Sequence, residues 1–285
     1  MYVFLIVGLF IIIIASVCTY GFLIEPRRMI ITKHDIYSDK IPITFHGIRV
    51  VQFSDTHIGR HYSLKRLAAL VEKINSLKPD IVAFTGDLFD AGRNENLSKY
   101  DPSSILSLIQ APNGKFAVYG NHDFGYSRKH RSTGPFLENA GFEMLLNESK
   151  RIKMPDGEFI TVSGLDDYVC GKPNARSAFA KLNDRHFNLL LAHEPDVADS
   201  LARYPIDLQL SGHSHGGQVS LPLVGALIRT SLGRKYIGGL YRVQERLRKN
   251  RPYTLFVNRG IGTTRIPIRL GSVPELCVFT LLRPE

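Results

Sequence analysis

Residues 48–87 read IRVVQFSDTHIGRHYSLKRLAALVEKINSLKPDIVAFTGD, and this stretch decides the fold. It opens on a run with the composition of a buried strand, Ile48–Ser54, and closes on another, Ile81–Thr85. Between them Leu64, Leu67, Ala68, Val71, Ile74 and Leu77 recur at helical spacing, and Pro79 stops that helix. Strand, helix and strand in that order form a βαβ unit and therefore a parallel pair. Working outward, Lys115–Tyr119, Phe187–Ala192, Leu208–Ser211, Gln218–Leu221, Tyr253–Val257 and Glu275–Leu281 are further strand candidates. Asp156-Gly157 between RIKM and EFITVS reads as a hairpin turn. The pattern predicts a mixed α/β chain with helix-linked strands early and meander-like strands late. No internal repeat and no linker interrupts the soluble part.

The chain has 285 residues, of which 44% are hydrophobic, which excludes a disordered chain or a disulfide-stapled miniprotein. Cys18, Cys170 and Cys277 are too few and too scattered for a disulfide framework or a thiolate zinc site. From Tyr2 to Ile24 no side chain is charged, and about 20 apolar residues suffice to cross a bilayer. Nothing basic precedes that run except the amino terminus, and Val17 stands where a lipoprotein-type cleavage site wants a small residue. Both features favour an uncleaved single-pass anchor over residues 1–26 rather than a signal peptide. Arg27, Arg28 and Lys33 favour a cytoplasmic catalytic domain, while Glu25 beside them leaves the side of the membrane open.

Lys and Arg number 36 against 26 Asp and Glu, a surplus of 36 − 26 = 10. Its densest part is Arg229, Arg234, Lys235, Arg242, Arg246, Arg248, Lys249 and Arg251. This run serves either an anionic lipid surface, at about 1 kcal/mol per basic side chain, or simply a solvated face. No aromatic-interleaved platform accompanies the charge, so no nucleic-acid partner is expected.

Five short motifs follow strand candidates: Asp55-Thr56-His57, Gly86-Asp87, Gly120-Asn121-His122-Asp123, His193, and Gly212-His213-Ser214-His215. The C-terminal ends of parallel strands are where α/β folds place their sites. Each motif alone is weak, but together they bring carboxylate, amide and imidazole ligands to one class of position. Such donors without thiolate suit manganese, iron, zinc or similar divalent ions. Their number exceeds what one ion with an open position takes and suits two ions that share a carboxylate, with Asp87 the natural bridge. The alternation Asp55-x-His57 on an extended segment would point both side chains one way, and His213-x-His215 has the same spacing.

In this order D-x-H, G-D, G-N-H-D, H and G-H-x-H resemble the calcineurin-like metallophosphoesterase superfamily. The anchor and the wordings FSDTHIG, AHEPD, LSGHSHGGQVSLP and VNRGIGTTRIPIR resemble its bacterial membrane-anchored branch, which includes proteins similar to UDP-2,3-diacylglucosamine pyrophosphatases. The resemblance runs from Ile48 to Leu282 and is specific for the superfamily, far less so for substrate. It implies a four-layer α/β/β/α sandwich of two mixed sheets, a catalytic domain over 45–283, and one N-terminal transmembrane helix before it. It implies a first ion on Asp55, His57, Asp87 and His215, and a second on Asp87, Asn121, His193 and His213. His122 would be the proton donor to the leaving oxygen, oriented by Asp123.

The expected activity is hydrolysis of a phosphodiester or pyrophosphate at the membrane, on a phosphorylated small-molecule or lipid substrate. Soluble substrates with the anchor as an address only, and a metal-stabilised scaffold without catalysis, are the competing readings. Arg60 and His61 either touch substrate phosphate or line a solvated loop. Arg259 and Arg265 either face the cleft or stabilise the Gly260-Ile261-Gly262 turn. His34, His46, His130 and His186 read as surface residues, and Asp166-Asp167 either as a pair that supports the ligands from behind or as a loop element.

Overall fold

The computed structural model describes residues 2–90, 97–125, 130–244 and 252–284. Its first element is the apolar helix α1 (Tyr2–Thr19), prolonged by a π-helical turn, Tyr20–Ile24, and a 3₁₀ turn, Glu25–Arg27. With those turns it is a 26-residue segment long and apolar enough to cross a membrane. The strands then follow as β1 (Ile30–Tyr37), β2 (Arg49–Phe53), β3 (Ile81–Phe84), β4 (Lys115–Ala117), β5 (Glu143–Met144), β6 (Glu148–Lys153) and β7 (Phe159–Gly164). After them come β8 (Asn188–Leu191), β9 (Leu208–Ser211), β10 (Ser220–Leu221), β11 (Gly225–Ala226), β12 (Gly239–Val243), β13 (Tyr253–Val257) and β14 (Glu275–Leu282).

Two six-stranded sheets result, ordered β1-β14-β2-β3-β4-β5 and β12-β13-β9-β8-β7-β6. The period-2 alternation of each strand sorts its side chains into layers. Val50, Ile81, Ala83 and Phe279 of the first sheet meet Leu189, Leu191, Leu208, Leu210 and Phe256 of the second in one core between the sheets. The opposite faces of the same strands, Val51, Val82 and Val278, pack under α2 (Leu64–Ser76) through its buried stripe Leu67, Leu70, Val71 and Ile74. Ser63 caps α2 by accepting from Arg66 N. On the far side Leu190, Leu255 and Val257 lie under the short helices at Ala175–Ala178 and Ala198–Leu201. The layers are therefore α/β/β/α, as the resemblance implies.

Three expectations need correction. The late strands are not a meander: β7, β8, β9 and β13 are mutually parallel, and antiparallel pairing is confined to β6–β7, β12–β13, β14–β2 and the small β10–β11 ribbon. The candidate strand Gln218–Leu221 shrinks to β10 in that ribbon. Strand β1 lies ahead of the expected domain start at 45 and pairs along its whole length with β14, so the first sheet begins at Ile30.

Candidate metal centre

The parallel strands β2, β3 and β4 of one sheet and β8 and β9 of the other end at a common edge, and each carries one motif just beyond its last residue. Six of the seven candidate ligands converge there in two groups, Asp55, His57 and His215, and Asp87, His193 and His213. His57 Nε2 lies 3.0 Å from His215 Nε2, and His215 Nε2 lies 3.4 Å from Asp55 Oδ1. A second group pairs His193 Nε2 with His213 Nδ1 at 3.1 Å, and His193 Nε2 with Asp87 Oδ2 at 3.3 Å. The same Asp87 oxygen stands 3.6 Å from His57 Nε2, so it reaches both groups. These six side chains are all buried. Asn121 turns a buried Oδ1 that finds no hydrogen-bond partner among the described residues.

Hydrogen bonds fix which ring nitrogens are free. A backbone carbonyl only accepts, so His193 Nδ1–H donates to Thr85 O at 2.6 Å and His213 Nε2–H donates to Ser231 O at 2.6 Å. With both rings neutral, as ligation requires, the lone pairs of His193 Nε2 and His213 Nδ1 face each other beside the Asp87 carboxylate. Lone pairs crowded together in a buried pocket repel unless a cation sits among them, and the donor set of carboxylate, imidazole and amide oxygen fits a divalent ion. Burial keeps the other imidazoles in the neutral, ligating form: it pushes His57 down to about 3 and His213 down to about 4, with neighbouring histidines adding to it. His215 is driven well down by burial, then by His57 and Arg269. His193 behaves differently, because the Asp87 and Asp55 carboxylates outweigh its burial and hold it well above its ordinary value. Burial pushes Asp55 up to about 6.

The backbone under these ligands is not the extended segment expected from the D-x-H spacing. Asp55, His57, Asp87, His213 and His215 have φ of 53°, 46°, 61°, 67° and 53°. Non-glycine residues rarely adopt this left-handed region, and a cluster of them marks a functional site. The turn geometry is held by Asp55 N–H on Gly86 O, His57 N–H on Asp87 O, and Gly212 N–H on His193 O. The backbone also approaches closely at Gly120, where an added Cβ would stand 2.3 Å from Asp87 Oδ1 and 2.7 Å from the His193 ring.

His122 stands at the rim. Its ring meets His57 edge-on at 4.8 Å, its Nδ1 is 3.7 Å from Asp90, and its Nε2 is 3.5 Å from Thr264 Oγ1. Asp123 does not take the orienting role expected for it. Its carboxylate accepts from Gly120 N–H at 2.7 Å, Asp87 N–H at 2.9 Å and Leu88 N–H at 2.9 Å, so it ties the G-N-H turn to the G-D turn. Asp90 is the carboxylate beside the His122 ring instead.

Other residues escaped the sequence reading. Arg269 is the largest fully buried side chain. Its guanidinium donates to Gly260 O, Gly262 O, Arg259 O and Ser272 O and lies 3.4 Å from His215 Nδ1. An isolated Arg in IPIRLGS carries no signal that it is buried. Glu194, next to His193, is held well above the ordinary range by burial and by Asp167. Arg259 pairs with Glu275 at 3.0 Å and so stabilises its turn, while Arg265, Arg60 and His61 are exposed. His34 and His186 are half-buried: the His34 ring packs on Phe279 and Phe256, and that of His186 on Phe159. Asp166 and Asp167 are buried. Of the basic run, Arg229, Arg234, Lys235 and Arg242 are exposed, and Arg246, Arg248, Lys249 and Arg251 lie outside the described residues. An open cavity of about 1360 Å³ lies at the other end of the sheets, between Lys40, Asp207 and Tyr241, where β9 begins.

A family profile, calcineurin-like phosphoesterase, matches residues 48–217. The chain belongs to that family. It is 38% identical over 265 residues to an uncharacterized metallophosphoesterase of Bacillus subtilis, YkuE, covering 92% of this chain and 88% of that one. It is 28% identical over 315 residues to the UDP-2,3-diacylglucosamine pyrophosphatase LpxG of Chlamydia muridarum, covering 91% of each. Among solved structures, the NAD nucleotidase of Haemophilus influenzae superposes with a TM-score of 0.51 at 15% identity, over 75% of this chain and 45% of that one, which speaks for the fold alone. The protein is thus a phosphoester hydrolase of a family that uses two divalent metal ions, and its clustered His and Asp side chains are placed to hold such ions.

Proposed function

We propose that this is a membrane-anchored hydrolase of phosphodiester or pyrophosphate bonds in a lipid-linked substrate. In this reading Asp55, His57, Asp87 and His215 hold one ion, and Asp87, Asn121, His193 and His213 the other. When bound, the ions draw charge from phosphate oxygens and lower the pKa of coordinated water from about 15.7 toward 7. His122, outside both ligand groups and partly open to solvent, delivers a proton to the departing oxygen. Asp123 keeps Asp87 and Asn121 in register by tying their two turns together.

One observation carries the lipid-linked part. Strand β1 begins three residues after the apolar helix, and Ile30 pairs with Glu275, the residue that Arg259 clasps beside the metal centre. The anchor therefore joins the sandwich at its catalytic end. A centre placed against the bilayer favours substrates that stay in it, and the similarity to a diacylglucosamine pyrophosphatase agrees with that placement. The test uses the full chain in lipid nanodiscs with manganese, offering a nucleotide-linked lipid pyrophosphate and soluble bis-p-nitrophenyl phosphate. The reading expects kcat/KM at least tenfold higher for the lipid. Cleavage of the soluble diester with none of the lipid would leave a phosphodiesterase for which the anchor is an address only.

A further inference from the structure

The anchor is not joined to the catalytic domain by a loose tether. Its π-helical turn puts Gly21 against the loop that carries Arg269: Gly21 O accepts from Arg269 N–H at 2.9 Å, and an added Cβ on Gly21 would stand 3.1 Å from Ile268. Glu25 is buried, and its carboxylate accepts from Ser272 N–H at 2.7 Å; Ser272 Oγ in turn donates to His215 O. Pro26 O accepts from Arg66 on α2. The foot of the helix is thus seated behind one half of the metal centre, and the domain's tilt on the anchor is set by these contacts.

The other side of the same loop carries the β10–β11 hairpin. Leu270 N–H donates to Gln218 O, Ser220 N–H donates to Leu270 O, and the Gln218 amide bonds Thr264 and Ile266. The hairpin rests on the turn after His215, where a Cβ on Gly217 would collide with Ala226. Its tip is Pro222-Leu223-Val224, with Leu223 fully exposed and Val224 62% exposed. Leu227 and Ile266 beside it are 53% and 51% exposed. Residues 217–235 hold no acidic side chain, whereas Arg229, Arg234 and Lys235 are there, and exposed Arg265 is nearby. Exposed apolar side chains bordered by basic ones describe a segment that lies in the headgroup layer of an anionic bilayer.

We infer that the β10–β11 tip, with Leu227 and Ile266, is a second membrane contact that enters the same leaflet α1 leaves, and so holds the mouth of the metal centre at the lipid surface. The occupant of this apolar patch is the bilayer itself, because the patch is continuous with the foot of the spanning helix through residues 264–272 and is ringed by cations. The inference rests on the anchored reading above and adds to it an orientation. It requires that the opposite end of the sandwich stand clear of lipid. Tyr37, the last residue of β1, is the reference point: it is 66% exposed and, at about 3.3 Å per residue, roughly 23 Å along the strand from Ile30.

The chain contains no tryptophan, so a single introduced one reports alone. Leu223→Trp, Phe10→Trp and Tyr37→Trp would be made separately in the full chain, in nanodiscs of anionic phospholipid with and without brominated acyl chains. Because Leu223, Phe10 and Tyr37 are exposed, none of the substitutions disturbs packing. The inference expects blue-shifted emission and at least a twofold drop with brominated lipid for both Leu223→Trp and Phe10→Trp, and neither effect for Tyr37→Trp. Quenching at Phe10→Trp with none at Leu223→Trp overturns the hairpin contact and leaves the anchor standing. A blue shift at Leu223→Trp without quenching means another protein surface covers the patch, and also overturns it. No quenching at Phe10→Trp removes the anchor and the inference together.

Discussion

Asp123→Asn separates a residue that holds the metal site together from one that orients the acid. The carboxylate accepts three buried N–H groups, two on Oδ2 (Gly120, Asp87) and one on Oδ1 (Leu88). An amide has one acceptor oxygen. In its better orientation it keeps the first two bonds and turns its NH₂ toward Leu88 N–H. That leaves a buried donor unsatisfied, at about 1–3 kcal/mol, and removes the charge from the two bonds that survive, at about 1 kcal/mol each. An offset exists in the metal-free protein, where burial and the charge of Asp87 already push the Asp123 carboxyl up to about 6, so that losing the charge relieves a strain. Bound cations neutralise Asp87 and cancel that relief. The loss of about 3–5 kcal/mol should therefore appear chiefly with metal bound. At roughly 2–4 °C per kcal/mol for a domain of this size, the metal-loaded Tm falls by about 6–20 °C while the chelated protein changes little. Metal affinity weakens about 10–100-fold, as for other groups that orient ligands. The assay is thermal melting of the full chain in detergent with manganese or with chelator, beside a calorimetric metal titration. Unchanged melting and affinity with turnover reduced as in His122→Ala would refute the reasoning and return Asp123 to the orienting role.

Other outcomes follow from the same geometry. His122→Ala should keep both metals and slow hydrolysis about 10²–10⁴-fold for poor leaving groups, with little effect on p-nitrophenolate release; full activity on alkyl esters would contradict the acid assignment. Gly120→Ala should abolish metal binding in an otherwise folded chain, since its Cβ would lie 2.3 Å from Asp87 Oδ1; a metal titration like that of the wild type would show that the turn yields. Metal affinity should rise with pH through about 6 and above, because Asp55, held up to about 6, and His193, held above its usual value, must each release a proton to ligate. His57 and His213, at about 3 and 4, are already deprotonated there. Calorimetry in buffers of different ionisation enthalpy reads that release, and an affinity flat from pH 5 to 8 would contradict it.

The βαβ unit, the hairpin at Asp156-Gly157 and the His and Asp positions that cluster at the strand ends were legible because each leaves a local signal: period, turn chemistry or a polar residue after an apolar strand. What was missed has non-local causes. β1 (IITKHDIY) is an edge strand in which Ile36 alone is buried, so its alternation is weak, and it is ordered by β14, more than 240 residues away. Parallel and antiparallel pairing leave the same pattern in a strand, which is why β9 and β13 read as part of a meander. The helices over the second sheet are one turn long and show no period. The left-handed conformations at Asp55 and His57 are imposed by bonds from Asp55 and His57 to Gly86 and Asp87 on a neighbouring strand, which spacing alone does not contain. Arg269 and the seat of Gly21 belong to the same class: both depend on segments about 250 residues apart meeting at the back of the site.

Metal content per chain tests the central claim most directly. Inductively coupled plasma mass spectrometry on the full-length protein, loaded with manganese and freed of excess, should return two ions per chain, and Asp87→Ala should lose both. One ion per chain in the wild type, or two in Asp87→Ala, would contradict a centre bridged by that carboxylate.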